Sequence, residues 1–315
     1  MSVFSGVARP VILAAARSHR LRHTVERVPV TKQVVHRFVP GEQLADALDS
    51  VVLLSNSHRF VTIDYLGEDV VDTDTADRTV SAYLGLLDAL GAQSEGMPRP
   101  LEVSLKLSAL GQALPHDGDK IVLENAHTIC AKAHDLGIWV TVDAEDHTTT
   151  DSRLSIVREL RADHDWLGTV LQAYLRRTLG DCRDLAGSRI RLCKGAYDEP
   201  ASVALRDRRQ VTENYLRCLR VLMAGSGYPM VASHDPEIIT AAGEMADEFG
   251  RGTDDFEYQM LYGIRDDEQR RLAAAGNHVR VYVPFGSQWY GYFVRRLAER
   301  PANLTFFLRA LAERR

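Results

Sequence analysis

Short apolar runs rich in β-branched residues alternate along the chain with longer segments in which apolar residues recur every third or fourth position. Runs of the first kind are typical of buried strands, and segments of the second kind are typical of helices that bury one face. The predicted strands are residues 60–67, 102–107, 138–144, 169–174, 189–193, 229–233, 256–261 and 279–283. The pattern therefore predicts eight strands separated by helical segments.

The helical segments predicted between these strands are residues 76–90, 121–136, 152–161, 202–223, 236–248 and 266–275, and another helix follows Pro40. Regular alternation of strand and helix implies a parallel sheet, because parallel strands need a crossover connection. Eight repeats favour a (β/α)8 TIM-type barrel over an open doubly wound sheet. The dinucleotide-binding alternative is weakened further because no Gly-x-Gly-x-x-Gly follows the first strand.

Residues 1–40 carry an excess of positive charge. Their basic residues other than histidine are Arg9, Arg17, Arg20, Arg22, Arg27, Lys32 and Arg37, and their acidic residue is Glu26. This segment is interpreted as a helical arm packed on the barrel, a transit peptide, or a basic surface that binds anionic lipid. We expect residues 1–57 to form an N-terminal helical arm and residues 58–315 to form a barrel catalytic domain.

Composition narrows the class of protein. The chain has 315 residues, of which 45% are hydrophobic and 26% are charged, as in ordinary globular proteins. A net charge of -5 argues against a dedicated nucleic-acid binder. The four cysteines form no Cys-x-x-Cys motif, which indicates reduced thiols. With no apolar run approaching the ~20 residues of a spanning helix, we expect a cytoplasmic protein, in peripheral contact with the inner face of the membrane if the basic arm binds lipid.

Polar residues stand at the end of nearly every predicted strand. In strand order they include Asp64, Glu68, Lys106, Asp143, Gln172, Arg191, Lys194, Ser233, His234, Gln259 and Tyr282. Each alone has a structural explanation, such as a helix cap or a hydrogen-bonded core residue. Barrel enzymes, however, build their sites at the C-terminal ends of the strands, and buried charges are costly unless paired. The convergence therefore predicts a site for an anionic ligand.

The last predicted helix adds cations to that set. Within residues 289–299, Tyr292, Arg295, Arg296 and Glu299 share one helical face. Two neighbouring guanidiniums match the geometry of a carboxylate or phosphate, although a solvated charged face would show the same spacing.

Several reaction classes lack their motifs. The sequence contains no Gly-x-Ser-x-Gly elbow, no phosphate-binding loop and no His-Glu-x-x-His. His134, His147 and His164 are scattered, so a catalytic metal is not supported. An anion site without an evident nucleophile suits redox chemistry in which a cofactor carries the reaction.

Eight motifs make the chain resemble the proline dehydrogenase family, in family order from Phe60 onward. They are Asp64-Tyr-Leu-Gly-Glu68, Ser104-Leu-Lys-Leu-Ser-Ala-Leu110, Asp143-Ala-Glu145, Val170-Leu-Gln-Ala-Tyr174, Arg191-Leu-Cys-Lys-Gly-Ala-Tyr197, Ala232-Ser-His-Asp235, Tyr282-Val-Pro-Phe-Gly286 and Tyr292-Phe-Val-Arg-Arg-Leu-Ala-Glu299. The resemblance implies an FAD-dependent enzyme that oxidises L-proline to Δ1-pyrroline-5-carboxylate. The chain stops where bifunctional relatives continue into an aldehyde dehydrogenase module, so we expect a monofunctional enzyme.

The resemblance also implies roles for individual residues. Lys106, Arg295 and Arg296 match the cations that hold the carboxylate of proline. Asp143 matches the active-site aspartate, expected to orient the two arginines, and Arg191 matches the catalytic arginine near the flavin N5. The wall around the pyrrolidine ring matches Tyr197, Tyr282, Tyr292 and Leu261. FAD contacts match Ala144, Gln172, Arg191, Lys194, Gly195, Ala196, Ser233 and His234, with Glu299 near the cofactor's sugar. Glu68 and Arg295 match an ion pair that closes over the ligand.

The implied reaction is hydride transfer from C5 of proline to N5 of FAD, with the electrons passed to a membrane quinone and the product passed to a pyrroline-5-carboxylate dehydrogenase. Two alternatives stay open: a barrel flavoenzyme for 4-hydroxyproline or pipecolate, and a non-catalytic ligand-binding barrel. Tyr282 bears on the first, since its phenol would crowd a 4-hydroxyl group. The chain departs from the family mainly at Asp198, where an aromatic residue is frequent, and at Ser233 and Asp235, where threonine and asparagine are more usual.

Overall fold

The computed structural model describes residues 35–93, 97–98 and 100–299, and its eight strands close into one parallel barrel in sequence order. Each strand pairs with its neighbours along the chain, and β8 closes the ring against β1. The strands are β1 (Phe60–Tyr65), β2 (Glu102–Leu105), β3 (Trp139–Val142), β4 (Gly168–Gln172), β5 (Arg189–Cys193), β6 (Tyr228–Ala232), β7 (Glu257–Leu261) and β8 (Val279–Phe285). The predicted (β/α)8 barrel is confirmed.

In the described part of the chain, a helix precedes β1, and a further helix follows each of the eight strands. They are α1 (Leu44–Ser55), α2 (Thr73–Gln93), α3 (Gly118–Asp135), α4 (Thr150–Leu160), α5 (Thr178–Asp184), α6 (Arg208–Ala224), α7 (Pro236–Phe249), α8 (Asp266–Ala274) and α9 (Trp289–Glu299), with 3-10 turns at Leu107–Leu110 and His147–Thr149. Among the described residues no helix is long and apolar enough to cross a membrane.

Side chains alternate between the two faces of each strand, and this alternation builds two different interiors. On β1, Val61 and Ile63 pack with the surrounding helices, whereas Thr62 points into the barrel and donates to Glu102 at 2.7 Å. Both faces of these strands are buried, the outward face by apolar side chains and the inward face by polar side chains. The inward residues are the polar ones, so the chemistry of the chain is concentrated inside the ring.

Helix α1 fills the space between β8 and β1 on the outside of the barrel. Its buried residues Ala47, Val51 and Leu54 pack with the outward-facing valines Val61 and Val281. The helix begins where the Gln43 N–H donates to Asp46 at 2.9 Å, an interaction that satisfies one of the donors left open at a helix start. Of the basic segment predicted at residues 1–40, residues 1–34 lie outside the described residues.

Helix α9 covers the C-terminal end of the barrel instead of its wall. Phe293 is fully buried, and it packs in one cluster with Leu66 after β1 and Ile264 after β7. Trp289 also fixes the start of the helix, since its indole N–H donates to Glu42 at 2.9 Å. The last helix therefore places its polar face over the strand ends.

Three local features differ from the predicted pattern. Strand β2 ends at Leu105, two residues before the predicted end at residue 107, and Leu107–Leu110 forms a 3-10 helix. The short helix α5 was not predicted, because seven residues carry too little periodicity to be recognised. Helix α6 starts at Arg208, so the connection after β5 is longer than predicted.

Candidate active site

Arg191, the inward-facing residue of β5 below the strand ends, is held through all three of its guanidinium nitrogens. Nε donates to Gln259 at 2.6 Å, and Nη1 donates to Ser104 and Asp143, each at 2.8 Å. Nη2 pairs with Glu102. Burial alone would lower the pKa of Arg191, but the surrounding carboxylates raise it. The guanidinium is therefore a fixed, permanent positive charge.

Asp143 follows β3 and connects that arginine to the opposite wall. Its Oδ1 accepts from Arg191, and its Oδ2 accepts from the Tyr282 hydroxyl at 2.7 Å. The ammonium of Lys106 lies 3.9 Å from Oδ2. The pKa of Tyr282 is raised by burial and by the carboxylates of Asp143 and Asp64, so the phenol stays protonated and donates. Both oxygens of Asp143 are thus taken up by Arg191 and Tyr282.

Lys106 stands just after β2 and is clamped by Asp64 at the end of β1. Its ammonium lies 2.6 Å from each oxygen of that carboxylate. Burial by itself lowers the pKa of Lys106, but the negative charges of Asp64 and Asp143 outweigh it and the pKa is raised. Lys106 is a charged residue with its own counter-ion, not an isolated cation.

On α9, Arg295 reaches down to the loop after β1. It pairs with Glu68, with Nη1 3.0 Å from Oε2, and its guanidinium lies 5.6 Å from the centre of the Tyr197 ring. The next residue, Arg296, lies 5.1 Å from the ring centre of Tyr292. The two arginines predicted to form one fork therefore stand over different aromatic rings, and the one that meets Glu68 is Arg295.

Aromatic and aliphatic side chains form a wall beside these charges. Leu261 and Tyr282 pack against the cluster that contains Tyr292 and Phe293, while Tyr197 is half-buried at the other side of Arg295. Four residues predicted to surround a small apolar ring are thus distributed over β7, β8, α9 and the loop after β5.

Apart from Glu299 on α9, the residues predicted to contact the cofactor lie at the ends of β3, β4, β5 and β6. Gln172 donates to the Glu145 carbonyl at 3.1 Å, and Lys194 pairs with Asp235 at 2.6 Å. His234 accepts from the Leu261 N–H through Nε2 at 2.9 Å, so its neutral tautomer carries the proton on Nδ1. The others on this side are Ala144, Gly195, Ala196 and Ser233, buried or half-buried at the same rim. The side chain of Glu299 lies outside the described residues.

Gly195 requires a conformation that other residues rarely adopt. Its φ is +108°, and a Cβ there would lie 2.2 Å from the Tyr174 ring. The chain can therefore run this close to the ring only with glycine.

This donor set fits a flavin nucleotide. Lys194 and Gln172 follow or end the adjacent strands β5 and β4, and each keeps an N–H beyond its bonds within the protein, the type of group that recognises ring carbonyls and phosphates. Over the described ranges, no three His, Cys, Asp or Glu side chains are grouped in a way that could hold a metal ion.

Two buried carboxylates at the site were not predicted as functional. Glu145 is 7% exposed and accepts from the Ser108 N–H at 3.1 Å and from the Ser108 hydroxyl. Burial raises its pKa to about 7. Glu102 is fully buried, and although burial opposes ionisation, three arginines lower its pKa to about 2. Glu102 could have been recognised from the sequence, because it is an acidic residue within the predicted buried strand 102–107 and a charge inside a buried strand needs a partner.

The sequence matches the family model described as proline dehydrogenase over residues 47–309. It is 40% identical over 284 residues to the proline dehydrogenase of Deinococcus radiodurans, which covers 88% of this chain and 90% of the relative. It is 35% identical over 286 residues to proline dehydrogenase 1 of Bacillus subtilis, which covers 90% of this chain and 92% of the relative.

Solved structures share the fold. The proline utilization A (PutA) protein of Bdellovibrio bacteriovorus, inactivated by N-propargylglycine, superposes with a TM-score of 0.78 at 23% identity, over 85% of this chain and 32% of that one. A PutA variant from Bradyrhizobium japonicum gives a TM-score of 0.73 at 23% identity, over 90% of this chain and 32% of that one. This chain spans about a third of the length of these PutA chains. On the family model and the identity to curated relatives, the chain belongs to the proline dehydrogenase family.

Proposed function

We propose that the protein oxidises L-proline to Δ1-pyrroline-5-carboxylate with FAD as the electron acceptor, the first step of proline catabolism. The observation that carries the proposal is Arg191, whose guanidinium is bound by Glu102, Ser104, Asp143 and Gln259 at the base of the strand-end site. A charge fixed in advance by its neighbours stabilises a developing negative charge without reorganisation.

Membership of the family implies a flavin cofactor. When bound, FAD supplies the two-electron acceptor that takes a hydride from C5 of proline at its N5 atom. The residues proposed to hold it are Ala144, Gln172, Arg191, Lys194, Gly195, Ala196, Ser233, His234 and Glu299. Lys194 is already positioned by Asp235 and by Thr212, at 2.6 and 2.9 Å, so its ammonium loses little freedom on binding a polar group.

The carboxylate of proline is proposed to bind Lys106, Arg295 and Arg296. Because Asp64 neutralises Lys106 and Glu68 neutralises Arg295, the entering carboxylate competes with Glu68 for the second cation. This competition is the proposed origin of gating by the Glu68–Arg295 pair. The pyrrolidine ring then lies among Tyr197, Tyr282, Tyr292 and Leu261, where water is excluded from the reacting C–H bond.

Substrate choice is proposed to depend on Tyr282. Its hydroxyl is fixed by Asp143 at 2.7 Å, and its ring lies 5.3 Å from the Arg191 guanidinium. A side chain held from two directions cannot swing away to admit a 4-hydroxyl group. We therefore place proline ahead of 4-hydroxyproline as the substrate.

Anaerobic flavin spectroscopy tests this proposal. Purified protein is expected to carry FAD, and L-proline is expected to bleach the oxidised flavin band, with 4-hydroxyproline and pipecolate bleaching it much more slowly. If pipecolate or 4-hydroxyproline bleached the flavin as fast as proline does, the protein would instead be a flavoenzyme for that other cyclic imino acid. Protein that binds no FAD would favour the ligand-binding alternative and end the enzyme proposal.

The reduced flavin is proposed to pass its electrons to a membrane quinone, with the product taken by a pyrroline-5-carboxylate dehydrogenase. A basic N-terminal segment would bring the protein to an anionic bilayer. Sedimentation with anionic liposomes, using the full chain and a chain without residues 1–40, checks the contact. Equal binding of the two proteins would contradict it.

A further inference from the structure

The connection between β5 and α6, residues 194–207, contains a buried carboxylate that the proposed reaction does not use. Glu199 is only 5% exposed, although it lies on a loop. An ionised side chain buried in a loop is costly unless several donors compensate it. Its position therefore requires an explanation from its contacts.

The Glu199 side chain joins three successive loops. Its Oε1 accepts from the backbone N–H of His147 at 2.9 Å and lies 3.3 Å from the Tyr174 hydroxyl. Its Oε2 pairs with Nδ1 of the His147 ring. His147 belongs to the loop after β3 and Tyr174 to the loop after β4, so one carboxylate ties both to the loop after β5.

These contacts are close to the strand-end site along the chain. His147 comes four residues after Asp143, and Glu199 comes two residues after Tyr197. The Tyr174 ring that Glu199 holds by its hydroxyl is the ring against which Gly195 is packed. Moving Glu199 would therefore disturb both the segment 143–145 and the segment 194–197.

The far side of the loop is anchored as well. Arg206 donates to the backbone carbonyl of Glu199 at 2.8 Å and also lies 3.7 Å from the carboxylate of Asp198. The Glu199 backbone is thus held from its own loop, while its side chain reaches across to the neighbouring loops. The Glu199 side chain therefore acts as a tether, that is, a contact that connects its own loop to the two neighbouring loops.

We propose that Glu199 is a positioning residue that holds the loops after β3 and β5 in the arrangement that binds FAD. The inference rests on the proposed function, because it assigns cofactor contacts to Ala144 and to residues 194–196. Glu199 touches neither substrate nor cofactor in this scheme, and it acts through His147 and Tyr174.

The test compares Glu199→Ala with Glu199→Gln and with Glu213→Ala. Glutamine keeps the acceptor oxygen for the His147 N–H and the Tyr174 hydroxyl, so it serves as the conservative variant. Glu213 is an exposed carboxylate on α6 paired with Arg209, and its removal controls for loss of a surface charge. FAD affinity is measured by titrating flavin into apoprotein, and amide hydrogen exchange is measured on the same apoproteins.

We expect Glu199→Ala to raise the dissociation constant of FAD about tenfold, because a tenfold change corresponds to about 1.4 kcal/mol, the size of one or two hydrogen bonds. Glu199→Gln is expected to stay within about threefold of the wild type, and Glu213→Ala to match it. In Glu199→Ala, exchange should rise in both segments 143–149 and 194–204.

The outcomes separate this inference from the proposed function. If wild-type protein binds no FAD, the proposed function fails, while faster exchange in both segments still supports the tether. If wild type and Glu199→Ala bind FAD equally, the positioning role is overturned. A lower melting temperature without a change in FAD affinity or in loop exchange would also overturn it, since that result describes a purely structural residue.

Discussion

At the scale of a residue, two buried glutamates show that the local environment determines the pKa of a carboxyl group. Glu102 lies inside the barrel, where burial is outweighed by Arg191, Arg280 and Arg189 and its pKa falls to about 2. Glu145 is buried near the rim, where burial dominates and its pKa rises to about 7. The first stays ionised at all physiological pH values, whereas the second changes its protonation within the physiological range.

Glu145 should make stability depend on pH. Because its folded-state pKa is raised from 4.5 to about 7, the folded protein keeps a proton that the unfolded chain has lost between these values. The free energy of unfolding therefore falls as pH rises through this window, by a few kcal/mol at about 1.4 kcal/mol per pKa unit. Glutamine stays neutral at every pH. The free energy of unfolding of Glu145→Gln, minus that of the wild type, should therefore be larger at pH 8 than at pH 5.

Urea unfolding of both proteins at the two pH values measures this difference. The comparison cancels the contribution of the other titrating groups, since those are common to both proteins. An equal effect of the substitution at both pH values would mean that Glu145 is not protonated in the folded state near neutrality.

At this scale the sequence predicted the residues of the site better than their partners. Lys106, Asp143 and Arg191 could be placed because polar residues at strand ends converge in a barrel. The pairing of Arg191 with Glu102 could not be predicted, because the two are 89 residues apart and meet only when the ring is closed. Lys106 and Asp64 are 42 residues apart, and their pairing depends on the alignment of the neighbouring strands β1 and β2, which the sequence does not show.

At the scale of elements, the periodicity of α9 predicted a helix with one polar face but not where it packs. Its place over the strand ends depends on Phe293 and on contacts with Leu66 and Ile264, which follow other strands. A single helix sequence contains no information about which end of the barrel it meets. Short elements were lost for a different reason: α5 and Leu107–Leu110 span too few residues for periodicity to appear.

The ion pair between α9 and the loop after β1 should contribute measurably to stability. In a double-mutant cycle with Arg295→Met and Glu68→Gln, we expect a coupling of about 1–3 kcal/mol in the free energy of unfolding, because both side chains are largely buried. The exposed pair Arg220–Glu248 is the matched control and should give below about 1 kcal/mol. A coupling for Arg295–Glu68 no larger than that of the control would rule out a stabilising contact.

Helix α1 offers a test of its own packing. Leu54 is 2% exposed and contributes to the core, whereas its neighbour Leu53 is 55% exposed. Leu54→Ala should lower the free energy of unfolding by about 2–5 kcal/mol, and Leu53→Ala should change it by less than about 0.5 kcal/mol. Chemical denaturation of the two variants gives the comparison, and similar losses would mean that α1 is not seated between β8 and β1.

At the scale of the whole molecule, the barrel is filled by charges in its lower layers. Arg280 and Glu257 are 1% and 0% exposed and pair at 2.8 Å, and the Arg280 side chain also donates to the Val61 carbonyl at 3.0 Å. Arg189 stacks on Trp139, with its guanidinium 3.7 Å from the ring centre. These side chains form the layer of the barrel interior beneath Arg191.

Breaking that layer should be costly. Glu257→Leu leaves Arg280 buried without its carboxylate, and we expect a loss of about 3–5 kcal/mol in the free energy of unfolding. Glu257→Leu combined with Arg280→Met removes both charges and should cost less than the single change. Thermal and urea unfolding of the two variants measure this, and an additive double variant would contradict a coupled pair.

The positions of α1 and α9 have a consequence for biosynthesis. The helix that completes the wall between β8 and β1 precedes β1 in the chain, whereas the helix over the strand ends is translated after all eight strands. All strands and the surrounding helices of the barrel wall are therefore translated before α9, the helix that covers the C-terminal ends of the strands. Closing the ring therefore requires no contact from α9, and among the described elements the helix over the strand ends is the last to be translated.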